Sequence, residues 1–435
     1  MIMLERKKSM AKNLQRCIEV YAHWMDLSKP TLVGILYAIP SRGKEIFSFE
    51  YDLNWLNEKY SHALDPSLQL FQGQQYTQNG QQNFGIFLDS SPDRWGRFLM
   101  NRRESQRARE EGRKEQRLLE SDYLLGVYDE HRMGALRFKI DPEGPFLDNN
   151  KMYAVPPWTA LREIEYASLA LEKKGAEENP KYTQWLKMLI APGGSLGGAR
   201  PKASVLDENQ HPWIAKFPSR NDDNDVAAWE MVAYKLAICV KITMAKAKLV
   251  KFNSCYHTFL NKRFDRVADK RIHFASAMTL LQRSDGDDAS NGTSYLELAQ
   301  FIMQQGAQPM QDLEQLWRRI VFYICISNCD DHLRNHGFIF QPSSGWRLSP
   351  AFDINPNVDG DGLKLNISES DNSQTLTLAK EVAEYFRIKP DKANNIIKEI
   401  VETVKKWREV AKSLDISIRE QDRMARAFRM VDHYA

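Results

Sequence analysis

Cysteine is scarce in this 435-residue chain: there are five, an odd number with no CxxC pair. That argues against a disulfide scaffold and against a zinc knuckle. Cys325 and Cys329 stand four apart on one helical face and read as reduced buried thiols, with a reducing cytoplasm as the natural compartment. Long apolar runs are missing too. The longest, such as Thr31–Ile39, fall well short of the roughly 20 residues that span a bilayer. The opening MIMLERKKSMAKNLQR is positive but has no apolar core behind it, so it does not read as a signal peptide. Charge of one sign is lacking as well: 60 Lys and Arg face 57 Asp and Glu, a net charge of +3, so any basic surface must be local. What is present is the composition of a globular protein, 43% hydrophobic and 27% charged. Its length suggests two or three domains of roughly 100–200 residues.

The first fifty residues predict a small antiparallel sheet. Ile18, Val20, Ala22 and Trp24 alternate with polar neighbours, Thr31–Ile39 is an apolar strand, and Phe47, Phe49 and Tyr51 alternate again. Pro92–Glu120 reads as a long charged helix or helix pair in which seven arginines from Arg94 to Arg113 interleave with glutamates. The expected state is a solvated helix laced with i, i+4 pairs; a docking face for an acidic partner or DNA backbone is the alternative. Ala203–Leu206 and Trp213–Phe217, joined by DENQHP, suggest a hairpin. Asp225 can cap the next helix, where Val226, Trp229, Ala233, Leu236 and Val240 recur at helical steps. Two strand-like runs follow, Ala245–Phe252 and Tyr256–Phe264. Beyond them the chain reads as nearly all helical, with Leu313, Leu316, Ile320 and Ile324 on one stripe and Ile396, Ile400, Val404, Trp407 and Ala411 on another. An acidic loop, SDGDDASNG, misses the calcium-loop pattern and precedes a helix capped near Thr293 or Ser294.

The order of glycine loop, hairpin, helix, two strands and helical half is that of a kinase small lobe followed by its large lobe. The expected class is therefore α+β, a bilobal protein-kinase-like fold with an antiparallel β-rich N-terminal lobe and an all-helical C-terminal lobe. Residues 1–120 would form an N-terminal β subdomain with a charged helical region, 121–266 the small lobe, and 267–435 the large lobe.

The chemistry-bearing residues follow the same order. In SNCDDHLRNHGF, Asp330 and Asn335 are five apart, and Asp353 follows in SPAFDINP. Protein kinases use one Asp to orient the acceptor hydroxyl, with an Asn and a later Asp holding magnesium on ATP. Asp331 is four from Asn335, so spacing favours Asp330 as the base. Lys216 in WIAKFP matches the strand lysine that neutralises phosphate oxygens, and Glu230 in the following helix could hold its ammonium. APGGSLGGARPK, residues 191–202, is not a Walker A loop. Its glycines, with Gly197, Gly198 and Ala199 in the second half, can turn backbone amides toward phosphate. A phosphate added to Ser195 in that loop would repel the loop from the cleft. His332 and His336, four apart beside two aspartates, raise a metal-hydrolase alternative. Zinc normally needs a further strong ligand, and no second His/Glu cluster occurs among the nine histidines.

On these motifs the sequence resembles the HipA family of bacterial serine/threonine kinases, the toxin components of toxin–antitoxin pairs. FLDSSPDRWGRFL, GGSLGGARPK, WIAKFPS, KRFDR, NCDDHLRNHGF and LSPAFDI all look like family segments, and the match spans nearly the whole chain. The resemblance implies Asp330 as base, Asn335 and Asp353 as magnesium ligands, Lys216 on the ATP phosphates and Ser195 as an autophosphorylation site. It also implies that backbone at Lys262 and Phe264 meets the adenine and that His332 lies near the phosphates. The implied partners are a helix-turn-helix DNA-binding antitoxin, through which alone DNA is reached, and protein substrates including aminoacyl-tRNA synthetases; no membrane is involved. Unlike eukaryotic kinases, the chain has no Gly after Asp353 and no HRD before the base. The competing expectation is a catalytically weak scaffold that binds such an antitoxin on operator DNA.

Overall fold

The computed structural model describes residues 15–58, 61–78, 80–150, 156–193, 198, 200–268 and 270–432. Strands β1 (Arg16–Ala22), β2 (Thr31–Ser41), β3 (Lys44–Tyr51), β4 (Gln75–Tyr76) and β5 (Leu136–Lys139) make one antiparallel sheet ordered β4-β3-β2-β1-β5. Its inner face is the alternating set read from the sequence: Ile18, Val20, Ala22, Leu36, Ala38, Phe47 and Phe49 are all fully buried. β5 pairs Phe138 with Val20, so the sheet draws on residues from both sides of position 120.

The charged stretch forms one helix, Arg94–Glu110, N-capped by Asp93. Its ion pairs differ from the expected i, i+4 ladder. Arg97 clasps Glu120 with two bonds of 2.6 and 2.7 Å, Arg102 reaches Glu177 at 3.3 Å, and Arg113 beyond the helix end returns to Glu104 at 2.5 Å. The arginines tie the helix to later segments, because Trp95 and Leu99 are buried and so fix which side faces the protein.

β6 (Lys202–Leu206), β7 (Pro212–Lys216), β8 (Ala247–Lys251) and β9 (His257–Lys262) form a second antiparallel sheet, ordered β6-β7-β9-β8. The expected hairpin is β6–β7, turned by Asp207, whose Oδ1 accepts from the amides of Asn209 and His211. The helix Val226–Cys239 is capped as expected, with Asp225 accepting from the Ala228 amide at 3.1 Å. Trp95 and Leu99 share a hydrophobic core with Ala203, Val205, Ala215 and Leu260 of this sheet.

The C-terminal third is not all helical. After the short hairpin β10 (Arg266–Val267) and β11 (Lys270–Arg271), strands β12 (Phe274–Ser276), β13 (Gly337–Gln341) and β14 (Gly345–Leu348) form a three-stranded antiparallel sheet. Phe338 opposite Leu348 supplies its buried pair. Gly345, at φ +107°, closes the turn in a conformation that glycine adopts without a Cβ clash. The strands are short and β13 directly follows the SNCDDHLRNH motif, which hid their alternation. The helices that surround them are as read. Ser294 caps Tyr295–Gln305 in a capping box with Glu297, and Leu313, Leu316, Ile320 and Ile324 are fully buried in Pro309–Ile326. The second stripe is split into Pro390–Val404 and Trp407–Lys412.

Candidate active site

Lys216 ends β7, and its ammonium is the meeting point of three elements. It donates to Glu230 Oε1 at 2.6 Å and to Asp353 Oδ1 at 2.7 Å. Glu230 is presented by the helix that follows β7, one residue after buried Trp229. Asp353 adopts φ +58°, the left-handed region that few non-glycine residues visit and that Asp tolerates best. Such a conformation costs on the order of 1–3 kcal/mol, and the bond to Lys216 holds it.

Burial opposes the charge on Lys216, but Asp353 and Glu230 raise its pKa well above the ordinary value. Burial also disfavours the Asp353 carboxylate, yet Lys216 and Lys202 hold it well below the usual range. Glu230 moves the other way: burial raises its pKa, opposed by Lys216 and reinforced by the charge of Asp353. One ammonium thus serves two unequal acids, and Asp353 is the stronger.

Lys202 was not singled out from the sequence, although it closes the glycine-rich run. The β6–β7 register sets it directly opposite Lys216. It is 4% exposed, and burial pushes its pKa down to about 8 against the pull of Asp353. The length of the DENQHP link was the available signal, since it fixes which residues face each other across the hairpin.

The loop after Pro309–Ile326 starts at Ser327, also left-handed at φ +50°. Asp330 is exposed. Asn335 is 7% exposed, and its side-chain amide donates to the Asp330 carbonyl at 3.0 Å, which leaves Oδ1 as its remaining acceptor. Asn328 Oδ1 accepts from the Asn355 amide at 3.1 Å and so ties this loop to the Asp353 segment. Asp331 has a different environment. It is 1% exposed, accepts from Tyr295 at 2.7 Å and lies 2.6 Å from His336 Nε2. Of the two adjacent aspartates, only Asp330 faces solvent. His336 is committed to Asp331, and among the described residues no group of three or more His, Cys, Asp and Glu is placed to hold a metal ion. The zinc-hydrolase alternative therefore lacks its cluster.

Ser195, Gly197 and Ala199 lie outside the described residues. Gly198 has φ +91°, and its amide donates to Asp93 Oδ2; a Cβ there would stand 2.7 Å from Lys202 Nζ. On β9, the Lys262 amide is committed to the Lys246 carbonyl at 2.8 Å. Phe264 stacks on Phe352, the residue before Asp353, at 5.7 Å between ring centres. His332 is partly buried with Nδ1 unpartnered. Oxygen donors at Asn335 and Asp353 suit magnesium, and the two lysines suit phosphate.

Antiparallel sheets are joined to helices, with a strand lysine between two carboxylates. Residues 194–408 match the HipA-like C-terminal domain. A Haemophilus influenzae protein named "Putative kinase" is 27% identical over 180 residues, 37% of this chain and 52% of its own. The chain thus spans about half the length of the curated relative it matches. Among solved structures, it is similar to a chain from the complex of HipA, HipB and operator DNA of a Shewanella oneidensis MR-1 toxin–antitoxin system. That match covers 95% of both chains at 17% identity, with a TM-score of 0.62. Among the described residues no helix is long and apolar enough to cross a membrane.

Proposed function

We propose that the protein is an ATP- and magnesium-dependent serine/threonine protein kinase of bilobal build that acts as the toxin of a toxin–antitoxin pair. The observation that carries this reading is the convergence of Lys216, Glu230 and Asp353, three residues from distant parts of the chain, on one ammonium. Residues 121–266, apart from β5, which completes the sheet of residues 1–120, are the small lobe and 267–435 the large lobe, the latter with its own small sheet.

Bound magnesium–ATP supplies the transferable phosphoryl group and the charge that offsets its development. Lys216, kept cationic by its two carboxylates, and buried Lys202 neutralise phosphate oxygens. Asn335 and Asp353 offer oxygens to the metal, and Asp353 is kept ionised by the two lysines. Exposed Asp330 takes the proton of the acceptor hydroxyl. Backbone at Gly197, Gly198 and Ala199 would serve the phosphates, the Lys262 carbonyl and Phe264 peptide would serve the adenine, and His332 would lie near the phosphates. Ser195 is the autophosphorylation site that turns the enzyme off.

The solved fold neighbour assembles with HipB and operator DNA, which supports a helix-turn-helix antitoxin as partner and DNA contact through it. Aminoacyl-tRNA synthetases are the substrate class that the resemblance implies, and the cytoplasm is the compartment. A scaffold without catalysis is the competing reading.

The test is transfer of labelled γ-phosphate from ATP with magnesium, comparing the natural chain with Asp330→Ala. A general base contributes on the order of 10²–10⁴ in rate, so the variant should fall by that factor. Equal transfer by both would remove Asp330 from its role. No transfer and no ATP binding by the folded natural chain would leave the scaffold.

A further inference from the structure

The first turn of the helix Arg94–Glu110 meets the glycine-rich segment at two points. Asp93 Oδ2 accepts from the Gly198 amide while its Oδ1 accepts from the Arg94 amide. Two residues on, Trp95 Nε1 donates to the Lys202 carbonyl at 3.0 Å, fully inside the protein. Trp95 is 4% exposed and shares its core with β6 and β7, so this second bond is a rigid one. The Asp93 carboxylate also lies 4.0 Å from Arg334 Nη1, on the loop that carries Asp330 and Asn335. A single acidic side chain from the N-terminal unit therefore stands between the segment of Gly198 and the segment of Asp330.

We infer that Asp93, backed by Trp95, is a positioning residue that sets the end of the glycine-rich loop for nucleotide binding; this rests on the kinase reading above. The physical reason is entropic. Glycine at position 198 loses more backbone freedom on ordering than other residues, and a fixed partner offsets part of that cost. A carboxylate accepting an amide proton makes a strong, directional bond. Asp93 cannot follow the loop if the loop moves, because the same carboxylate is bound to its own helix through Arg94. Arg334 offsets the negative charge that Asp93 brings close to a phosphate site. The N-terminal unit thus presets the loop without touching the nucleotide.

The alternative with opposite sign is that Asp93 occupies an amide the phosphate needs, and so inhibits. Steady-state phosphoryl transfer by the full chain separates them. Asp93→Ser keeps a good helix N-cap while its short hydroxyl no longer spans to Gly198; Asp93→Asn keeps an oxygen acceptor and is the conservative rescue. The inference expects the KM for ATP to rise about ten-fold in Asp93→Ser with kcat within about two-fold, and Asp93→Asn to fall between, as for loss of uniform binding. An unchanged or lowered KM in a Ser variant that melts like the natural chain would overturn it. If the natural chain neither binds ATP nor transfers phosphate, the kinase reading fails first, and the two failures are distinct.

Discussion

Asp265 and Asp353 are both aspartates whose neighbouring cations hold their pKa well below the usual carboxylate range against burial, yet their surroundings differ. Asp265 has no exposed side-chain surface and accepts from Arg263, Arg266 and the Gly134 amide at 2.6 to 2.8 Å. Close by, Asp129 is held in the same way by Arg137 and Arg271. The Gly134 amide on Asp265, Arg271 on Asp129 and Arg263 on the His131 and Arg132 carbonyls join the segment 129–137 to the segment 263–271, so the charges act as a structural joint. Asp353 keeps 35% of its side chain exposed and shares one ammonium with Glu230. Its described contacts fall on Oδ1, and its backbone is left-handed. A saturated cluster has no capacity left for a ligand, whereas a partly exposed and strained one does.

The comparison breaks most visibly if catalysis does not depend on the open cluster. The largest expected effect is the loss of 10²–10⁴ in transfer by Asp330→Ala, on the order that a general base contributes. Next is stability. Asp265→Ala strands two buried guanidinium groups and should cost about 3–5 kcal/mol, read from the denaturant midpoint. Asp353→Ala leaves Lys216 with Glu230 and relaxes none of the core, so its cost should be smaller, about 1 kcal/mol or less. Equal losses for the two would erase the distinction between joint and site.

The smallest expected effect is a pH slope. His273 is 1% exposed among Trp24, Phe340 and Trp346, both ring nitrogens lack a partner, and burial holds its pKa well below 6.5. Below pH 6.5 the unfolded chain takes up a proton there that the folded chain refuses. Stability is therefore full above that pH and falls as pH drops through it, by up to about 1.4 kcal/mol per pH unit for one such group. His131 contributes in the same direction. His273→Phe should remove one proton's worth of that slope in urea titrations between pH 5 and 7; an unchanged slope would mean that His273 does not titrate on unfolding.

Much of this was legible from local pattern. Alternation found β1 to β3 and the β6–β7 hairpin, capping chemistry found Asp225 and Ser294, and kinase spacing found Lys216, Glu230 and Asp353, which meet on one ammonium. What local pattern cannot carry is partnership across the chain. Nothing near Asp93 in sequence points to Gly198. The arginines after it read as a solvated ladder, whereas Arg97 and Arg102 bond far downstream. Asp330 and Asp331 are the same residue type in one motif, and only Tyr295 and His336 show which of them is buried. Strands β12 to β14 are too short for their period to stand out beside the SNCDDHLRNH motif.

The most direct test of the open cluster is ATP affinity by calorimetry, with magnesium and with excess chelator, for the natural chain and for folded Asp353→Ala. The account expects the natural chain to bind more tightly with magnesium and the variant to lose that difference. Identical magnesium dependence in both, or none in the natural chain, would contradict it.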